Sequence, residues 1–141
     1  MPLIRPGQTQ DLPEVAAVQQ ASPQAAQWTV AEYLQYDFRV SVADGRVTAF
    51  LVSRTLAEGE YEILNLAVSP DFRRRGLGRE LLKSLLAESP GTLYLEVRES
   101  NEAARMFYKS IGFQEIAARS GYYETPGCSP ESAIVMKFHS C

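Results

Sequence analysis

Along this chain the spacing of apolar positions switches repeatedly between a period near two and a period near four, the pattern of strands alternating with helices. Leu3-Ile4-Arg5 reads as a short first strand closed by Pro6-Gly7. Asp11 is expected to cap a helix, with Glu14 completing an Asp-x-x-Glu box and Val15 and Val18 giving part of its apolar stripe. A second box, Thr29-x-x-Glu32, predicts a short helix carrying Tyr33 and Leu34, with Trp28 placed as a hydrophobic staple. Residues 38–43 and 47–56 flank Asp44-Gly45, a hairpin signal, and Glu58-Gly59 marks another turn.

Residues 62–68 predict a central buried strand, apolar on both faces except for Asn65 and ended by Pro70. Residues 76–88 predict a helix whose buried face carries Leu77, Leu81, Leu82, Leu85 and Leu86, stopped by Pro90-Gly91. Residues 92–97 form a strand. Residues 101–111 form a helix with Ala104, Phe107, Tyr108 and Ile111 on one stripe, Asn101 as its N-cap and Gly112 as its stop. Residues 113–118 and 133–138 are the last two strands, joined by a long loop. The alternation predicts one α/β or α+β domain over residues 1–141, a length that suits a single core.

Composition narrows the function classes. Hydrophobic residues make up 45% and charged residues 22% of the chain, ordinary values for a globular protein. No apolar run approaches the ~20 residues of a membrane span, and the first residues lack a long apolar signal region, so a cytoplasmic setting is expected. The formal net charge of −3 argues against nucleic acid as a partner. Cys128 and Cys141 have no metal-ligand spacing, so neither a metal site nor a disulfide framework is expected, and His139 reads as a surface residue near the end.

The chemistry concentrates in two places. Between the strand at 62–68 and the helix at 76–88 lies Arg73-Arg-Arg-Gly76-Leu-Gly78-Arg79. Glycines at a helix mouth allow a tight turn and a close approach to a ligand. The first amides of a helix lack internal partners and favour an anion. With the arginines beside them, they make a pyrophosphate cradle, the alternative being an ordinary helix start with a solvated basic turn. The third glycine of a dinucleotide fingerprint is absent, since Leu81 stands there, and no Gly-Lys-Ser/Thr of a P-loop occurs. The second place is Glu96, a carboxylate in a central strand, where it is either functional or paired with Arg98 or another arginine.

Arg73-x-x-Gly76-x-Gly78 after a strand resembles the acetyl-CoA-binding motif of the GNAT superfamily of N-acetyltransferases. Asn101-Glu-Ala-Ala-Arg-Met-Phe-Tyr108-Lys-Ser-Ile-Gly112-Phe113 resembles the same family's Asn…Tyr…Gly-Phe segment. A narrower similarity is to the ribosomal-protein-alanine N-acetyltransferases. It rests on Ile63-Leu-Asn-Leu-Ala-Val68-x-Pro70, Leu93-Tyr-Leu-Glu-Val-Arg98-x-Ser-Asn101, Tyr122-Tyr123 and the Trp28-Thr29 pair. The chain departs from that pattern after the tyrosines: Glu124 follows them, and Gly127-Cys-Ser-Pro-Glu-Ser-Ala-Ile134 replaces the usual run. Residues 124–132 are therefore where acceptor specificity is expected to diverge.

The resemblance implies a mixed, strongly twisted sheet flanked by helices, with two central strands splaying apart. It implies acetyl-CoA as co-substrate, with no metal. The phosphates would lie on Arg73, Arg74, Arg75, Gly76, Leu77, Gly78 and Arg79, the pantetheine arm on Leu66, Ala67 and Val68, and Asn101 would contact a cofactor amide. Glu96 would be the general base and Tyr108 the acid that protonates the departing thiolate. Tyr108 taken alone is a core tyrosine by its spacing. Trp28, Tyr122 and Tyr123 would wall the acceptor site. The acceptor is expected to be the N-terminal amine, alanine first, of a ribosomal or other protein. A small-molecule amine is the alternative within the same chemistry, and a non-catalytic acyl-CoA sensor is the alternative outside it.

Overall fold

The computed structural model describes residues 2–23, 25–123, 127 and 130–140, with Tyr123 described at its backbone alone. The elements follow the alternation of the sequence. Strands are β1 (Leu3–Pro6), β2 (Asp37–Ala43), β3 (Arg46–Ala57), β4 (Glu60–Val68), β5 (Thr92–Arg98), β6 (Gln114–Tyr123) and β7 (Glu131–His139). Helices are α1 (Leu12–Gln20), α2 (Leu77–Glu88) and α3 (Glu102–Ile111), with 3-10 segments at Thr9–Asp11, Val30–Gln35 and Pro70–Phe72.

The seven strands form one mixed sheet in the order β1-β2-β3-β4-β5-β7-β6. The β4–β5 pair is parallel and every other neighbouring pair antiparallel. Residues of β3 alternate between two cores, as a period of two requires. Ala49 and Leu51 pack with Leu77, Leu81, Leu82 and Leu85 of α2 and with Tyr108. Phe50 and Val52 pack with Val15 and Val18 of α1 and with Tyr33. Helices thus cover both faces of the sheet, which is the mixed, helix-flanked architecture expected.

Two features of β4 shape the site. Its parallel ladder to β5 runs only from Glu60↔Thr92 to Glu62↔Tyr94. Beyond that point β4 stays paired with β3 up to Val68↔Ala49, while β5 stays paired with β7. The central strands therefore part, and the β4 edge from Ile63 onward faces a gap. The second feature is a bulge: Val52 pairs with Asn65 and Ser53 with Ile63, leaving Leu64 extra. The bulge puts two consecutive residues, Leu64 and Asn65, on the α1 side of the sheet.

Two expected caps take other forms. Asp11 makes no capping bond to α1; its carboxylate accepts Arg5 Nη1 at 2.7 Å and the Gln8 amide at 2.8 Å. Glu14 reaches across to the Val47 amide at 2.9 Å rather than back to Asp11. Thr29 likewise gives no side-chain cap, and the segment after it is a 3-10 helix closed by Glu32 N–H donating to the Thr29 carbonyl. Asn101 caps as expected, with Oδ1 accepting the Ala104 amide at 3.1 Å. The last two strands run further than the sequence suggests, so the loop between them shortens to residues 124–130. Cys128, Cys141 and most of that loop lie outside the described residues. His139 ends β7 with Nδ1 2.9 Å from Thr92 Oγ1.

Candidate active site

The gap between β4 and β5 opens into two cavities. One, of about 830 Å³, is lined by Leu66, Ala67 and Val68 of β4, by Arg73, Arg74, Gly76, Leu77, Gly78 and Arg79, and by Asn101 and Tyr108. The chain reaches it through backbone turns that few residues tolerate. Arg74 has φ +63° and Gly76 φ +78°, after which α2 begins at Leu77. A side chain at Gly76 would project into open space, the space a ligand on the helix mouth would occupy. At Gly78 a Cβ would instead come within 3.1 Å of the Phe107 ring, so this glycine lets α2 approach α3.

The arginines divide their work. Arg74 and Arg79 line the cavity, and Arg79 also donates to Ser110 Oγ at 3.3 Å. Arg73 lines it too, but it donates to the Val68 carbonyl at 3.2 Å and to Ser22 Oγ at 3.1 Å, tying the end of β4 to the segment after α1. Arg75 lies over the Phe72 ring at 5.0 Å and is not part of the lining. Sequence reasoning missed Ser22, Pro23, Ala25 and Phe107 as lining residues, because an irregular segment and a helix stripe carry no ligand signal of their own.

The second cavity, about 380 Å³, lies on the other side of the gap. Its walls are Ala25, Ala26, Gln27 and Trp28, the β4 residues 63–66, the β5 residues 95–98, Asn101, Ala104 and Tyr108. The two cavities share Ala25, Leu66, Asn101, Ala104 and Tyr108. A group in one can therefore meet a group in the other beside Tyr108. That ring is 6% exposed and packs edge-on between Phe107 and Phe113 at 5.1 and 5.2 Å. Burial pushes its hydroxyl well above the ordinary tyrosine pKa, so it stays protonated across the physiological range.

Glu96 lines the second cavity, and Arg119 Nη1 donates to its Oε1 at 2.6 Å. The pairing is thus with Arg119 of β6, while Arg98 pairs with Glu131 at 3.3 Å. Arg119 in turn lies over the Tyr122 ring at 4.0 Å. Tyr122 is 48% exposed and bears on the cavity through Arg119 rather than as a wall. The Tyr123 side chain lies outside the described residues. Trp28 is one of the residues lining this cavity.

A sheet whose central strands part beside a glycine–arginine helix mouth defines a class, and the chain belongs to the GNAT family of acetyltransferases, whose family pattern matches residues 9–113. Among its relatives, the [ribosomal protein bS18]-alanine N-acetyltransferase of Salmonella typhimurium is 47% identical over 98 residues, covering 67% of this chain and 65% of that protein. The crystal structure of the ribosomal-protein-S18-alanine N-acetyltransferase from Escherichia coli superimposes with a TM-score of 0.81 at 34% identity, over 98% of this chain and 93% of that one. Ard1 from Thermoplasma volcanium superimposes with a TM-score of 0.87 at 29% identity, over 99% and 98% of the two chains. The matched stretch of this chain spans just under two thirds of the Salmonella protein's length.

Proposed function

We propose that this protein transfers the acetyl group of acetyl-CoA to the N-terminal α-amine of a protein, alanine first, with a ribosomal protein as acceptor and a cytoplasmic setting. The observation that carries the reading is the pair of cavities meeting at Tyr108, one ending on a helix mouth with arginines and the other on a carboxylate.

The residues fit an acetyl-CoA molecule. The first amides of α2 have no helical partner, and open space lies where a Gly76 side chain would be. Arg74 and Arg79 bring positive charge to the same cavity, and the unpaired β4 edge at residues 63–68 offers backbone groups to an amide-bearing arm. When bound, the co-substrate supplies an activated acyl group. Glu96 accepts a proton from the incoming ammonium, whose ordinary pKa near ~8 keeps much of it charged at neutral pH. Arg119 holds the Glu96 carboxylate in one orientation. Amides at residues 66–68 donate to the carbonyl oxygen as charge develops on it. Glu96 passes that first proton to water before the attack. Tyr108 Oη then gives its proton to the sulfur as the C–S bond breaks and the C–N bond forms, and the second amine proton passes to the freed Glu96 carboxylate. Exchange with water returns Glu96 to the carboxylate and Tyr108 to the phenol. The presence of both proton-handling groups beside the junction speaks against a non-catalytic acyl-CoA sensor.

The activities of the Salmonella and Escherichia coli relatives, both alanine N-acetyltransferases of a ribosomal protein, support the choice of a protein terminus over a small amine. The test is a competition panel of peptides with free N-terminal Ala, Ser, Met or Gly against small primary amines, ranked by kcat/KM. Preference for an Ala terminus is expected, and preference for a small amine over every peptide would overturn the acceptor assignment.

A further inference from the structure

Asn65 interrupts the apolar run from Ile63 to Val68 of β4, and neither the cofactor cleft nor the proton transfers explain it. The bulge at Leu64 turns its side chain toward α1, where it is 5% exposed. Its Nδ2 lies 2.8 Å from the Ala26 carbonyl, 3.0 Å from Tyr33 Oη and 3.2 Å from Gln19 Oε1. An amide nitrogen has two protons, and the two nearest acceptors take them. Tyr33 Oη donates onward to Gln19 Oε1 at 2.5 Å, and Gln19 Nε2 donates to the Trp28 carbonyl at 2.7 Å. A relay that starts on β4 therefore ends on two carbonyls, those of Ala26 and Trp28.

Both carbonyls belong to one wall of the smaller cavity. That wall is irregular backbone, with no ladder or helix to fix it. Its other end is held separately. Arg73 donates to Ser22 Oγ, and Gln27 Nε2, with two protons to give, lies 3.1 Å from each of the carbonyls of Gln19, Ser22 and Ala25.

We propose that Asn65 is a positioning residue for the acceptor: directly, and through Tyr33 and Gln19, it sets the distance between the Ala26–Trp28 backbone and the free edge of β4, and so the width of the slot that admits the amine. The inference rests on the reading that this cavity takes the acceptor. Removing the relay loosens the acceptor wall while the cofactor side, held by Arg73 and Gln27, keeps its shape.

Two variants test it. Asn65→Asp keeps the outline but turns the donors into acceptors that face the Ala26 carbonyl. Tyr33→Phe keeps the ring between Phe38 and Phe50, at 5.8 and 5.7 Å, and cuts only the branch to Gln19. Acceptor KM should rise about tenfold in Asn65→Asp, the effect of one buried carbonyl left without its donor, and less in Tyr33→Phe. The acetyl-CoA Kd by calorimetry should hold. In the free proteins, amide hydrogen exchange over residues 25–29 should quicken. Unchanged acceptor KM with unchanged exchange would overturn the proposal. So would an acceptor KM and a cofactor Kd that worsen together with a lowered melting temperature, since that is general loosening. If the wild type acetylates no peptide terminus, the acceptor reading fails by itself. KM is then measured for the amine it does take, and the exchange result judges Asn65 independently.

Discussion

Replacing Tyr108 by Phe removes a single oxygen from the junction of the two cavities. The ring is held by Phe107 and Phe113, and by the core around Leu77, Leu81 and Met136, none of which touches the change in shape. Burial accounts for the raised pKa of the hydroxyl, and among the described residues no hydrogen bond contributes to it. Its loss should therefore alter stability by less than about 1 kcal/mol at neutral pH, because no buried partner is orphaned. Loss of a positioned general acid costs about 10²- to 10⁴-fold in rate. The two magnitudes differ enough to separate the roles. The assay is kcat by thiol release with saturating acceptor, beside thermal unfolding of the same preparations. A second reading comes from alkaline pH. The folded-state pKa is raised, so above about 10 the unfolded chain releases a proton that the native chain keeps, and wild-type stability falls as pH rises. Tyr108→Phe lacks that contribution, so its stability should decline less steeply there. A kcat within twofold of wild type, with acyl transfer shown to limit turnover, would leave Tyr108 as a packing residue and refute the assigned role.

Three further outcomes follow from the geometry. Gly76→Val, at φ +78° and facing open space, should cost about 1–2 kcal/mol in stability and abolish acetyl-CoA binding by calorimetry in the folded variant; retained affinity would move the phosphate site elsewhere. Glu96→Gln should lower the rate while the cofactor Kd holds, and the loss should shrink at high pH, where more amine is already deprotonated; a pH–rate profile parallel to wild type with a lower melting temperature would make the Arg119 pair structural. Arg105 first, then Lys109, holds the Glu115 carboxyl down at about 2, so the cluster stabilises the fold above about 4.5 and loses that contribution as pH falls toward 2; solvent screening keeps the contribution small, and a Glu115→Gln penalty that persists unchanged at pH 2 would contradict this.

What the sequence made legible is what local chemistry decides. Asp44-Gly45 adopts positive φ at both positions, +53° and +79°, and pairs β2 with β3 as read. Gly76 sits at a helix start at φ +78°, which the lack of a side chain allows, and Asn101 sits at one with its side chain capping the Ala104 amide. Asp11 misled because its carboxylate is taken by the Arg5 guanidinium and the Gln8 amide rather than by an amide of α1. The bulge at Leu64 could not be read, since it depends on the register with β3. Nor could the wall at residues 25–28, which has no period and is held by side chains from α1 and β4. Arg119 escaped for the same reason, since its approach to Glu96 spans two strand pairings, β5–β7 and β7–β6.

The central claim is that acetyl transfer takes place where the two cavities meet, onto an N-terminal amine. The direct measurement incubates the protein with isotopically labelled acetyl-CoA and a peptide that carries both a free N-terminal Ala and an internal Lys, then maps the label by tandem mass spectrometry. The account predicts label on the terminal α-amine alone, with none on a pre-acetylated copy of the same peptide. Label confined to the lysine side chain, or equal label on both copies, would contradict it.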